Sequence, residues 1–153
     1  MDLILWRHAE AHEPEPGQAD ADRPLTSKGE RQALRVAAWL NRQLPDVTRV
    51  LASPAKRTQQ TAAALDRKFK TLTALDTSGT VEGLLHTVRW PDGREPVLVV
   101  GHQPTLGLVA AYLMAGEARA WTLRKGAIWW LRGRERDGQL QVVLHAAVSP
   151  ELV

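Results

Sequence analysis

The run Pro96-Val97-Leu98-Val99-Val100 carries no charge and stops on Gly101-His102. A short, unbroken apolar run suits a strand buried on both faces, and such a strand needs helices on either side of its sheet. Residues Asp2–Trp6 read as a second short buried strand, ending at Arg7-His8, while Arg49–Ala52 forms a third ahead of Ser53-Pro54. Helical patterns fill the intervals. Thr26 stands as an N-cap, and Ala33, Val36, Ala37, Leu40 and Leu44 recur at helical spacing until Pro45 stops the helix. Ser53-Pro54 opens a second helix, with proline at its first position, that runs to about Lys68. A short apolar segment (Thr71–Leu75) precedes a third helix over Val81–Val88, and Pro104 begins a fourth that extends to about Met114. Ala127–Leu131 and Leu140–Leu144 flank Asp137-Gly138, a hairpin signal. Strands alternating with helices, then a hairpin, predict a three-layer α/β/α sandwich with a mostly parallel central sheet.

Neither a linker nor a repeat divides the 153 residues, so a single domain over 1–153 is expected. Cysteine is absent, which excludes disulfides, thiolate metal sites and cysteine nucleophiles. The apolar runs are too short to span a bilayer, and MDLILWRHAEAH has neither a basic leader nor a cleavage site. The expectation is a cytoplasmic protein with no membrane partner. Arginine supplies 15 of the 20 basic residues, and the net charge is +3. Its planar fork suits phosphate. The one visible basic cluster lies around Arg124, Lys125, Arg132, Arg134 and Arg136, near Trp129 and Trp130. It reads as a hairpin with one apolar face and a charged turn, so no nucleic-acid partner is expected.

In parallel α/β sheets, ligands bind beyond the carboxyl ends of the strands. Here those ends carry Arg7 and His8, then Ser53 with Arg57 one helical turn further on, then His102. Two histidines and two arginines thus converge on one sheet edge, where helix N-termini add positive potential. Each of them alone would be an ordinary structural or surface residue. Together they predict an anion pocket, with a phosphoryl group as the anion.

Three blocks carry a family resemblance: Leu5-Trp6-Arg7-His8-Ala9-Glu10, Ser53-Pro54-Ala55-Lys56-Arg57-Thr58-Gln59-Gln60-Thr61-Ala62 and Val99-Val100-Gly101-His102-Gln103-Pro104. With Arg23-Pro24-Leu25-Thr26-Ser27-Lys28-Gly29 and Lys125-Gly126-Ala127-Ile128-Trp129-Trp130, the chain resembles the histidine phosphatase superfamily, and within it the small SixA-type phosphohistidine phosphatases. The resemblance implies a phosphoglycerate mutase-like fold with His8 as the nucleophile that becomes phosphohistidine. It also implies that Arg7, Arg57 and His102 bind the phosphoryl oxygens, with Ser53 beside them in substrate binding. Neutral imidazole is a competent nucleophile near pH 7. Phosphoryl transfer depends mainly on positioning and charge stabilisation, so two arginines suffice without a metal or other cofactor.

Two departures from the wider superfamily narrow the expectation. Ala9 replaces the glycine that many members carry after Arg-His, and only 45 positions (102 − 57) separate Arg57 from His102. That interval leaves no room for a large helical cap, so the pocket should be open and suited to phosphate on a protein surface. The expected substrate is a phosphorylated protein such as a histidine-containing phosphotransfer domain, met by a monomeric enzyme whose pocket also takes phosphate or sulfate. Candidate proton donors are Glu82, Asp76 and Glu10; an imidazole leaving group relaxes the need for one. His12, His86 and His145 read as solvated or structural. The rival readings are a phosphomonoesterase for a small metabolite, sugar or nucleotide phosphate, and a noncatalytic phosphoprotein-binding module.

Overall fold

A computed structural model describes all residues from Met1 to Val153. It has six strands, β1 (Asp2–Arg7), β2 (Arg49–Ala52), β3 (Lys70–Thr71), β4 (Val97–Gly101), β5 (Ile128–Arg136) and β6 (Gln139–Val148). Four helices connect them: α1 (Ser27–Gln43), α2 (Lys56–Ala63), α3 (Val81–Val88) and α4 (Thr105–Ala115). Short 3-10 turns lie at Asp20–Asp22, Thr73–Leu75 and Pro150–Leu152. No helix is long and apolar enough to cross a membrane.

The strands form one sheet in the order β3-β2-β4-β1-β5-β6. The first four are mutually parallel, and β5 and β6 join as an antiparallel hairpin. Alternation along the strands divides the core in two. Ile4, Trp6, Val50, Leu98, Val100 and Trp130 pack with Val36 and Leu40 of α1 on one face. Leu3, Leu5, Leu51, Val97, Val99 and Leu131 pack with Leu84 of α3 and Val109 of α4 on the other. Every residue of β4 is buried, as an uncharged central strand requires. The expected sandwich is therefore present, hairpin included. Asp137 and Gly138 both hold positive φ, the geometry that a two-residue hairpin turn demands.

Several boundaries differ from expectation for local reasons. Helix α2 starts at Lys56, not at Pro54, because Ala55 is extended and the Ser53 hydroxyl accepts the Ala55 N–H, 3.2 Å away. It ends at Ala63, five residues short of Lys68. Leu65 turns into the core, Asp66 adopts a left-handed φ of 53°, and Arg67 donates to the main-chain oxygens of Leu44 and Pro45 at the end of α1. A continuous helix would carry both side chains elsewhere. Pro104 caps α4 and does not begin it. The Thr71–Leu75 segment divides into the end of β3 and a 3-10 turn. Thr26 is the N-cap of α1, its hydroxyl accepting from Gly29 N–H. Gly29 itself permits a close approach, since a Cβ there would collide with the main-chain oxygen of Glu10. That contact seats α1 against the loop leaving β1.

Candidate active site

Strand β4 lies between β1 and β2, and its register places Gly101 opposite Arg7 and Val100 opposite Ala52. The pairing continues one residue further: His8 N–H donates to Gly101 O and Ser53 N–H to Val100 O, both at 3.1 Å. The three chemically loaded strand ends therefore meet at one edge of the sheet.

His8 is 7% exposed, and its Nδ1 lies 2.8 Å from Ala9 O. A carbonyl can only accept, so Nδ1 carries the proton and Nε2 keeps its lone pair. Nε2 has no protein partner. His102 is 3% exposed, with its ring centroid 5.4 Å from that of His8. Arg57 Nη2 approaches His102 Nδ1 at 3.4 Å, and Ser53 Oγ lies 2.7 Å from His102 Nε2. An arginine can only donate, which sets His102 as the Nε2–H tautomer with Ser53 accepting. Ser53 is fully buried behind His102, so its hydroxyl orients that ring; a direct substrate contact by Ser53, as expected from the sequence, does not fit this placement.

Arg7 donates from Nη1 to Leu123 O, 2.9 Å away. The Nε atoms of Arg7 and Arg57 are buried and have no partner. Burial, then the charge of Arg57, lowers the Arg7 pKa, so the two guanidinium groups feel each other's charge. At about 4 Å and an effective dielectric of 20, each would attract a unit negative charge by about 4 kcal/mol.

Burial is also the largest influence on both imidazoles. It pushes His8 down to about 3, with partial opposition from the Ala9 hydrogen bond and reinforcement from the neighbouring positive groups. It pushes His102 down to about 4, aided by Arg57 and opposed by Asp20 and Asp76. Both rings are thus neutral at pH 7, as a nucleophile requires. The unfolded imidazole value is about 6.5, so below that pH the unfolded chain takes up protons that the folded chain refuses. Stability is full above about pH 6.5 and falls as pH drops toward the folded values. Denaturant titrations should show a loss on the order of 2 kcal/mol per histidine between about pH 7 and about pH 5. His102→Asn should flatten the dependence; an unchanged pH profile in that variant would contradict neutral burial.

The other motif residues hold loops. Gln59 donates to Ser53 O, Gln60 accepts Leu25 N–H, and Thr61 accepts Ala9 N–H while donating to Arg57 O. One turn of α2 thereby fixes the segments after β1 and β2 together.

Sequence reasoning missed Asp20. Arg57 donates from Nη1 to the main-chain oxygen of Asp20 at 2.8 Å and from Nη2 to its carboxylate at 3.0 Å. Asp20 also accepts from Arg23 Nε. Slight burial works against ionisation of Asp20, but hydrogen bonds from Arg57 and Arg23 outweigh it and hold the carboxyl below its usual value. This carboxylate, 59% exposed, draws the loop between β1 and α1 onto the outer edge of a guanidinium that is 3% exposed. Nothing local marks Asp20 among the acids of that polar loop; only the fold aims Arg57 at it.

The three expected proton donors fare differently. The Glu10 carboxylate accepts from the Thr26 hydroxyl at 2.7 Å, tied to the start of α1. Asp76 accepts from the hydroxyl and main-chain N–H of Ser78, which hold its carboxyl below the usual range, and its charge is felt by His102. Glu82 is exposed in the first turn of α3. His12 is exposed in the loop, His86 is exposed on α3, and His145 packs edge-on against Trp130. No group of three or more His, Asp or Glu side chains gathers in a metal-ligating arrangement.

A family model described as histidine phosphatase superfamily (branch 1) matches residues 3–81. The phosphohistidine phosphatase SixA of Escherichia coli K12 is 30% identical over 126 residues, 76% of each chain. An uncharacterized protein of Mycobacterium tuberculosis H37Rv, Rv1276c, is 38% identical over 109 residues, covering 70% of this chain and 68% of that one. Among solved structures, the protein histidine phosphatase SixA complexed with tungstate superposes with a TM-score of 0.82 at 26% identity, over 99% of both chains.

Proposed function

This chain belongs to the histidine phosphatase superfamily, and on that premise we propose that it hydrolyses protein-bound phosphohistidine through a phosphoryl intermediate on His8. The observation that carries the reading is the His8 ring itself. Its Nδ1 is engaged by Ala9 O, which leaves Nε2 free, and the ring lies 5.4 Å from that of His102, within the electrostatic reach of Arg57 and Arg7. In the first step Nε2 attacks phosphorus and the substrate's P–N bond breaks. A substrate imidazole protonated on its distal nitrogen departs neutral, so no strong acid is required from the enzyme. Water then attacks the phosphorus on His8, releasing inorganic phosphate and restoring the ring. Arg7 and Arg57 hold the phosphoryl oxygens in both steps.

Two features support a protein substrate over a small ester. Between Ala63 and Val97 the chain builds only the two-residue β3, a 3-10 turn and the eight-residue α3, which leaves the strand ends approachable by a folded partner. The carboxylates near the site are held as acceptors: Glu10 by Thr26, Asp76 by Ser78 and Asp20 by Arg57. An alkoxide leaving group would demand a better proton donor. A reaction resting on two guanidinium groups also proceeds without a metal.

The test compares a phosphorylated histidine-containing phosphotransfer domain with a panel of sugar, nucleotide and small-metabolite phosphate esters, all in chelator. The expected result is a kcat/KM about 100-fold or more higher for the phosphohistidine protein, with Glu82→Ala affecting only the slow ester reaction. Rapid ester hydrolysis with the phosphoprotein untouched would assign the site to small phosphates. Tight phosphate binding with no turnover of any substrate would make it a binding module.

A further inference from the structure

We propose that the cleft between α1 and the C-terminal 3-10 turn is a docking surface for an acidic face of the phosphoprotein substrate, an inference that rests on the phosphohistidine reading above. Lys28, Arg31 and Arg35 recur at positions i, i+3 and i+7, so all three project from one face of α1. With Gln32, Pro150 and Glu151 they line a cleft of about 290 Å³. All three cations are exposed, and none has a carboxylate within ion-pair distance. The single acid in the cleft, Glu151, pairs with Arg124 at 3.0 Å, and Lys125 follows next in sequence. Three unpaired cations of α1 therefore line the cleft beside the Arg124–Glu151 pair.

The cleft is joined to the catalytic loop through its own wall. Gln32 accepts the main-chain N–H of Glu10, two residues beyond His8. Gly126 donates its N–H to His8 O, and a Cβ on Gly126 would meet both Pro150 and Gln32. A partner seated on α1 thus lies against the same segments that hold the nucleophile. Strong positive potential beside a phosphoryl pocket steers an anionic partner and fixes its orientation, raising the association rate 10- to roughly 1000-fold in favourable cases. The residues lining the cleft include no aromatic on which bases could stack, which favours an acidic protein face over a nucleic acid. The other flank of α1 differs: there Glu30 accompanies Leu25, Ala33 and Leu34 around an apolar groove.

The charge-reversal variant Arg31→Glu/Arg35→Glu tests the proposal on the full chain. Two substrates separate its possible failures: phosphoramidate, and a phosphorylated histidine-containing phosphotransfer domain whose surface around the histidine is acidic. The expected result is a 10- to roughly 100-fold lower kcat/KM for the protein, carried mainly by KM, with phosphoramidate turnover and thermal unfolding unchanged. For the unaltered chain, kcat/KM for the protein should fall steeply between about 0.05 and about 0.5 M salt, while phosphoramidate turnover stays comparatively flat. Equal hydrolysis of the phosphoprotein by both forms overturns the docking surface and leaves the phosphohistidine reading standing. Loss of both substrates in parallel overturns it as well, because the effect would then lie in the pocket. Salt-sensitive oligonucleotide binding that the reversal abolishes, without change in phosphoprotein turnover, reassigns the patch. Failure of the unaltered chain on the phosphoprotein removes both proposals together.

Discussion

His8→Ala is expected to reduce turnover of every phosphorylated substrate by about 10,000-fold or more. No other side chain in the pocket offers a neutral nitrogen in the same place: both ring nitrogens of His102 face protein partners, Arg57 on one side and Ser53 on the other. The backbone around His8 has little reason to move. Its N–H remains bonded to Gly101 O, and its carbonyl still accepts from Gly126 N–H, since neither bond involves the side chain. Oxyanion binding should survive, because Arg7 and Arg57 are untouched. At pH 5 the variant should resist unfolding better than expected for a truncated buried side chain, because one imidazole held neutral at a pKa of about 3 has been removed. Steady-state kinetics together with phosphate binding by calorimetry separate these effects. Retention of more than about one hundredth of the activity would show that His8 is not the attacking group.

Arg57→Ala carries the second large effect, expected at about 1000-fold in kcat/KM with weakened oxyanion affinity. Three connections end at this guanidinium. It anchors the Asp20 loop through two hydrogen bonds, contacts His102 Nδ1, and keeps a buried Nε–H free. Alanine removes the guanidinium proposed to hold the phosphoryl oxygens and releases the loop at the same time. Arg57→Lys should recover little, since an ammonium lacks the planar fork that bonds Asp20 along one edge and presents Nε–H on the other. The Asp20→Asn variant separates the two roles. It keeps the main-chain contact and an amide oxygen for Nη2, so its loss should be far smaller than that of Arg57→Ala. Equal losses would place the catalytic contribution in the loop and not in the guanidinium.

The strand ends were legible in the sequence because short apolar runs mark buried parallel strands and the polar residues after them have only one edge of the sheet to occupy. Pro96–Val100 and Asp2–Trp6 define the two central neighbours β4 and β1 almost to the residue, and their register then brings His8 and His102 together. Helix α3 agrees with its apolar spacing at both ends. Features set by tertiary contact were not legible. The early end of α2 depends on Arg67 meeting the carbonyls at the end of α1, from a different part of the chain. The contact of Ser53 with His102 follows from full burial, which spacing does not encode. Asp20 lies 37 residues from the arginine it holds, within a loop whose acids look alike until the fold selects one.

The proposed reaction turns on a phosphorus atom that becomes bonded to His8. Mixing the protein with excess phosphoramidate or phosphohistidine protein, quenching in alkali and mapping by intact and peptide mass spectrometry tests it directly. A single phosphoryl adduct on His8 is expected, one that survives base, is lost in acid and is absent from His8→Ala. Turnover at full rate with no such adduct, or an adduct on another residue that persists in His8→Ala, would contradict it.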